Sequence, residues 1–150
     1  MRSIAAILVV SLACAFNAAW AADGMISMRS PHGASETMNR FESAVQKRGF
    51  KVFARIDHAA AAKSIGKSLR PTEVLIFGNP QGGTALMECA QSVGIDLPLK
   101  ALVWEDEKGQ VWLGYNDPAY LARRHEVSSC NGFGAVGKAL SDLSAAAIAN

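Results

Sequence analysis

Two runs of alternating character, Leu99–Glu105 and Gln110–Asn116, flank the segment Asp106-Glu107-Lys108-Gly109. Alternation with period two is the signature of strands with one buried face, and the short polar segment between them closes a hairpin. Gly109 suits the left-handed position of a three-residue bulged loop, Glu107-Lys108-Gly109. That loop fixes the register: Asp106 faces Gln110, Trp104 faces Trp112, Leu102 faces Gly114 and Lys100 faces Asn116. Leu99, Ala101, Val103, Val111, Leu113 and Tyr115 then share the opposite, apolar face. A hairpin with one apolar face is not stable alone and needs helices or a second sheet to cover it.

The rest of the chain supplies helices. Ser35 is read as an N-cap, Met38, Phe41 and Val45 recur at helical spacing, and Gly49 stops the helix. Residues 50–57 alternate, with Phe50, Val52, Ala54 and Ile56 assigned to the apolar face and Phe53, Arg55 and Asp57 to the polar one. His58–Lys67 is a short Ala-rich helix. Val74–Phe77 is apolar on both faces and reads as a central strand ending at Gly78-Asn79-Pro80. A helix over Thr84–Val93, a short helix capped by Asp117 with Pro118 in its first turn, and a last helix from about Phe133 to Ala147 complete the pattern. With Met25–Arg29 as the first strand, the order is β-α-β-α-β-α-β-β-α-α. The expected architecture is a two-layer α+β sandwich: a mixed, mostly antiparallel sheet with helices packed on one face.

The first 21 residues stand apart. Met1-Arg2 is a basic start, Ile4–Phe16 is apolar apart from Ser11, and Ala19-Trp20-Ala21 is a small-x-small cleavage pattern. Residues 1–21 therefore read as a secretory signal peptide, and residues 22–150 as a single domain that is secreted or periplasmic, without a stable membrane span after cleavage. A lipid anchor on Cys14 fits poorly, because Ser11 stands where an aliphatic residue is wanted. Loss of Arg2 with the leader leaves 14 basic against 13 acidic side chains. These charges are scattered, which excludes the basic stripe of a nucleic-acid binder. Cys89 and Cys130 remain as an even pair in an oxidising compartment, which suits either a disulfide closing a loop of about 40 residues or two separately buried thiols.

Candidate site residues follow from the face the helices do not need. Arg55, Lys100, Asn116, Trp104 and Trp112 combine aromatic area with cations and an amide, the mixture found in ligand sites and interfaces. Asp57 and His58 are adjacent acid and base, but neighbours on a strand point to opposite faces; Asp57 suits a helix cap. Asn116, Asp117 and His125 are expected near the open end of the hairpin. Met25, Met28 and His32 are soft ligands that would select Cu(I), yet Met25 and Met28 face opposite ways along a strand. The chain has no zinc-type Cys/His spacing, P-loop or nucleophile elbow, so neither metal nor cofactor is expected.

Several segments in order carry a family likeness: Phe53–Ala59, Leu69–Pro80 with Gly78-Asn79-Pro80, Gly83-Thr84, Ile95–Asp106 and Tyr115–Leu121. Together they resemble the bacterial and archaeal family called domain of unknown function 302, from about Met25 to the last helix. The resemblance implies a compact α+β domain and no particular activity; the two cysteines are not part of its pattern. The expectation is a secreted, non-enzymatic binding module that takes a small molecule or a partner on the mixed sheet face, through Arg55, Asp57, His58, Asn79, Lys100, Trp104, Trp112, Asn116 and Asp117. Two alternatives stay open: an enzyme using His58, Asp117 or His125 for proton transfer, and a homodimer joined through Trp104 and Trp112.

Overall fold

The computed structural model describes residues 22–150; the leader read in residues 1–21, with Cys14, lies outside the described residues. The elements are β1 (Met25–Ser30), α1 (Ala34–Lys47), β2 (Lys51–Asp57), α2 (His58–Ser64), β3 (Thr72–Gly78), α3 (Pro80–Cys89), a 3-10 turn (Gln91–Ile95), β4 (Leu99–Glu105), β5 (Val111–Asn116), α4 (Pro118–Arg124) and α5 (Gly132–Ile148). The strands form a five-stranded sheet in the order β1-β5-β4-β3-β2. All four pairings are antiparallel, so the expected mixed sheet is purely antiparallel. The reason is topological. β1 and β2 run the same way, but α1 carries the chain across the sheet and sets them on opposite edges, where they never pair.

One sheet face takes α1 and α5. Met38, Phe41 and Val45 of α1 are fully buried against Leu75, Phe77, Ala101, Val103 and Leu113, with Leu140, Leu143 and Ala147 of α5 beside them. Phe77 is the centre of this layer: the rings of Phe41 and Phe50 meet it edge-on at 5.5 and 5.8 Å, the geometry that aromatic quadrupoles favour. Burying a side chain such as Phe41 contributes about 1.5–3 kcal/mol. A second, smaller core of Leu86, Val93, Leu121, Ala122 and Phe133 joins α3, α4 and α5. The disulfide between Cys89 and Cys130, with Cα atoms 6.2 Å apart, fastens the end of α3 to the loop that starts α5.

Two departures from the sequence expectation matter. α3 begins at Pro80, four residues early, because Asn79 caps it: its Oδ1 accepts from the N–H groups of Gln81 and Gly82. And β2 carries a bulge. Val52 pairs with Phe77, but the register shifts before Ala54, which pairs with Ile76. The extra residue, Phe53, reverses the faces beyond it. Ala54 and Ile56 therefore lie on the face away from the helices, while Arg55 and Asp57 lie on the helix side. This corrects the placement of Arg55 and Asp57 beside the tryptophans.

Candidate functional site

Among the described residues, no helix covers the sheet face opposite α1 and α5. Its rows follow from the ladder: Arg29, Trp112, Trp104 and Thr72; then Ser27, Gly114, Leu102, Val74 and Ile56; then Met25, Asn116, Lys100, Ile76 and Ala54. Most of these side chains are half-buried by their neighbours, and Arg29, Ile56 and Asn116 are exposed. Large apolar area is thus spread over five strands.

Trp104 and Trp112 pair directly, through the loop Glu107-Lys108-Gly109, and their rings stack 15° from parallel with centroids 6.2 Å apart. Three contacts set their positions. Arg29 lies over Trp112 at 5.3 Å from the ring centroid, and the indole N–H of Trp112 donates to Asp106 Oδ2 at 2.8 Å. Trp104 lies over Gly114, where a Cβ would sit 3.0 Å from its ring; glycine there is what lets the indole lie flat. The bond from Trp112, aided by the backbone N–H groups of Gln110 and Lys108, holds the Asp106 carboxyl below its ordinary value of 3.8. A carboxyl depressed in the fold contributes its stabilisation above the unfolded value and loses it as pH falls through the lowered one. Acid titration of indole emission is expected to show a step below pH 3.8 that Asp106→Asn abolishes.

The remaining expected site residues have other tasks. Lys100 donates to the carbonyls of Asp96 and Pro98 at 3.0 and 2.9 Å. Arg55 bridges Glu73 of β3 to Glu42 and Asn39 of α1; the bond to Glu73, against the opposing effect of burial, raises its pKa further. Asp57 caps α2 and Asp117 caps α4, each accepting a backbone N–H. His58 is exposed at the start of α2. Arg55, Asp57, His58, Asn79 and Asp117 are therefore not brought to the tryptophan pair, and His58, Asp117 and His125 form no common acid–base centre. The capping roles of Asp57 and Asp117 are local and were readable from Asp before a helix; the reversal of Arg55 was not, because it depends on one unpaired residue.

His125 does find a carboxylate. Its Nε2 lies 2.6 Å from Asp96 Oδ2, Ser92 Oγ lies 2.9 Å from its Nδ1, and Arg124 holds Asp96 Oδ1 at 2.9 Å. The network assigns the proton to Nε2, so that Nδ1 accepts from the Ser92 hydroxyl. The order Ser-His-Asp invites comparison with a nucleophile relay. However, neither Ser92 nor His125 borders the cavities along α3 and α4, and Asp96 is already shared with Arg124. The cluster ties the end of α4 to the 3-10 turn. His125→Ala is expected to lower unfolding free energy by about 1–3 kcal/mol, the penalty for orphaning a largely buried acceptor, read from urea denaturation. The sequence hid this cluster because His125 lies 29 residues from Asp96 and 33 from Ser92.

Among the described residues there is no group of three or more His, Cys, Asp or Glu placed to hold a metal ion. Met25 lies on the uncovered face, Met28 packs on the core, and His32 bonds the carbonyl of Ala149. Likewise no helix of the described residues is long and apolar enough to cross a membrane.

Residues 26–147 match the family described as domain of unknown function DUF302. The chain belongs to this family. The crystal structure of an uncharacterised conserved DUF302 protein from Bacillus stearothermophilus superposes with a TM-score of 0.76 at 21% identity, over 84% of this chain and 99% of that one, and so shares the DUF302 fold. Two Brucella proteins are nearer in sequence. "Fluoride-specific ion channel FluC 1" of Brucella suis and "Fluoride-specific ion channel FluC 2" of Brucella melitensis are each 49% identical over 104 residues, 69% of this chain. The match spans only 41% and 38% of their lengths, so this DUF302 chain corresponds to less than half of either.

Proposed function

We propose that this protein is a non-catalytic, secreted or periplasmic binding module that docks a partner protein on the sheet face carrying Trp104 and Trp112. The observation that supports the reading is that pair: two stacked indoles at the rim of a broad face that no element of the described residues covers. Five strands at about 4.8 Å spacing and six to seven residues at about 3.3 Å each give a flat area of roughly 500 Å² before side-chain relief is counted. That is the scale of one side of a protein interface, about 800 Å² of accessible surface. Tryptophan and arginine, here Arg29 on Trp112, are the residues that most often carry binding energy at such surfaces. A small molecule or a second copy of this chain is an alternative occupant of the same face.

The Brucella likeness suggests the kind of partner. A channel needs spanning helices, yet most of the matched 104 residues fall within a domain whose described residues hold none. In this reading the shared portion stands outside the membrane in those channel-named proteins, and the domain acts beside a fluoride channel in the membrane. The test is a pull-down of a FluC-type channel in detergent with the purified protein, alongside fluoride tolerance of cells lacking it. Retention that Trp104→Ala abolishes supports the reading. Failure to retain the channel, with normal fluoride tolerance, removes it, and concentration-dependent dimerisation in sedimentation would assign the face to a second copy.

A further inference from the structure

A separate cavity lies at the end of the sheet where β3 leaves and β4 begins, walled by α3. Its volume is about 420 Å³, within the range of small-molecule sites. Phe53, Leu86, Met87, Leu97, Pro98 and Val136 supply most of the wall, and none of its lining residues is charged. Two departures from good local design converge on it. The first is the bulge in β2: the unpaired residue is Phe53, and the bulge brings its ring over Gly78 at the cavity rim, where it remains half exposed. Bulges recur where a strand must re-aim a side chain.

The second is the first turn of α3, Pro80-Gln81-Gly82-Gly83. Two consecutive glycines are poor helix formers, and the fold does not call for either. Neither has a positive φ. A Cβ on Gly82 would meet nothing within 4 Å, and one on Gly83 would make an ordinary 3.7 Å contact with Leu97. Alanine would fit at both and favour the helix. What the glycines do keep is open space beside Thr84 and Asn79. The Asn79 side chain is oriented by its cap bonds, Oδ1 towards Gln81 and Gly82, which leaves its amide N–H₂ as a fixed donor with no acceptor among the described residues. Local rules broken without a folding reason mark functional positions.

We propose that this cavity binds a small, uncharged, mainly apolar molecule: an aryl or short alkyl group between Phe53, Met87 and Leu97, with a neutral acceptor such as a carbonyl or hydroxyl oxygen on Asn79. The site is distinct from the tryptophan face and does not depend on it. The experiment titrates the purified protein with N-phenyl-1-naphthylamine, a neutral aromatic probe whose emission rises in apolar surroundings. Saturable binding at one site is expected. Gly83→Leu, which fills the space, should weaken it at least tenfold without lowering the melting temperature, and Trp104→Ala should leave it unchanged. Amide shifts of Gly82, Gly83 and Thr84 on probe addition locate the site independently, should Gly83→Leu fold poorly. No saturable binding, equal affinity in a folded Gly83→Leu, or shifts confined to the Trp104 and Trp112 indoles would overturn the proposal; loss of channel retention would not.

Discussion

Replacing Cys89 and Cys130 together by serine is expected to destabilise the domain by about 4 kcal/mol, the chain-entropy value for freeing a loop of 41 residues. The loop is not peripheral. It contains β4, β5 and α4, and so the centre of the sheet and three of the five residues of the second core. Without the bond, α3 and α5 are joined through contacts such as Leu86 on Gly132, where a Cβ would come within 2.8 Å. That contact is close, but it does not cross-link the unfolded chain. Urea denaturation of oxidised protein and of the double variant gives the difference. A loss below about 1 kcal/mol would mean that the unfolded chain keeps the loop ends near one another, which removes most of the entropic gain.

Trp104→Ala is the second large effect, and it separates binding from stability. If the uncovered face is an interface, truncating one of two stacked indoles at its rim should weaken partner binding by at least about 2 kcal/mol, some thirtyfold. The fold should lose much less, since Trp104 is only half-buried and its main supports, Trp112 and Gly114, pair through the backbone ladder regardless. Isothermal titration and thermal melting of the same variant read the two quantities. Were Trp104→Ala to cost 3–5 kcal/mol of stability, as a core aromatic does, the face would be part of the core and the docking proposal would lose its support.

How legible this was from sequence depended on how local the cause is. The order of elements, the α+β class and the hairpin register were readable, because alternation and Gly109 act over a few residues; Gly109 has φ 75° in the closing loop. The caps of α2 and α4 were readable for the same reason, as side chains bonding their own backbone. Arg55 was not. Its face depends on whether Phe53 is counted in the ladder, and nothing in Lys51–Asp57 says that one residue goes unpaired. The Ser92, Asp96 and His125 cluster and the cavity at Asn79 were hidden by distance: each gathers residues from separate elements that only tertiary packing brings together. The pure antiparallel sheet was missed because α1 spans the full width of the sheet, and a strand–helix–strand run is otherwise read as a parallel neighbour.

The strand order has a consequence for how this protein comes into being. β1 is made first, yet its partner β5 comes about 90 positions later: Met25 meets Asn116. Until then the strand has no ladder to join, and the sheet lacks an edge. Contacts this distant in sequence slow folding. A chain arranged in this way closes its sheet only when the hairpin of β4 and β5 has arrived to receive its first strand.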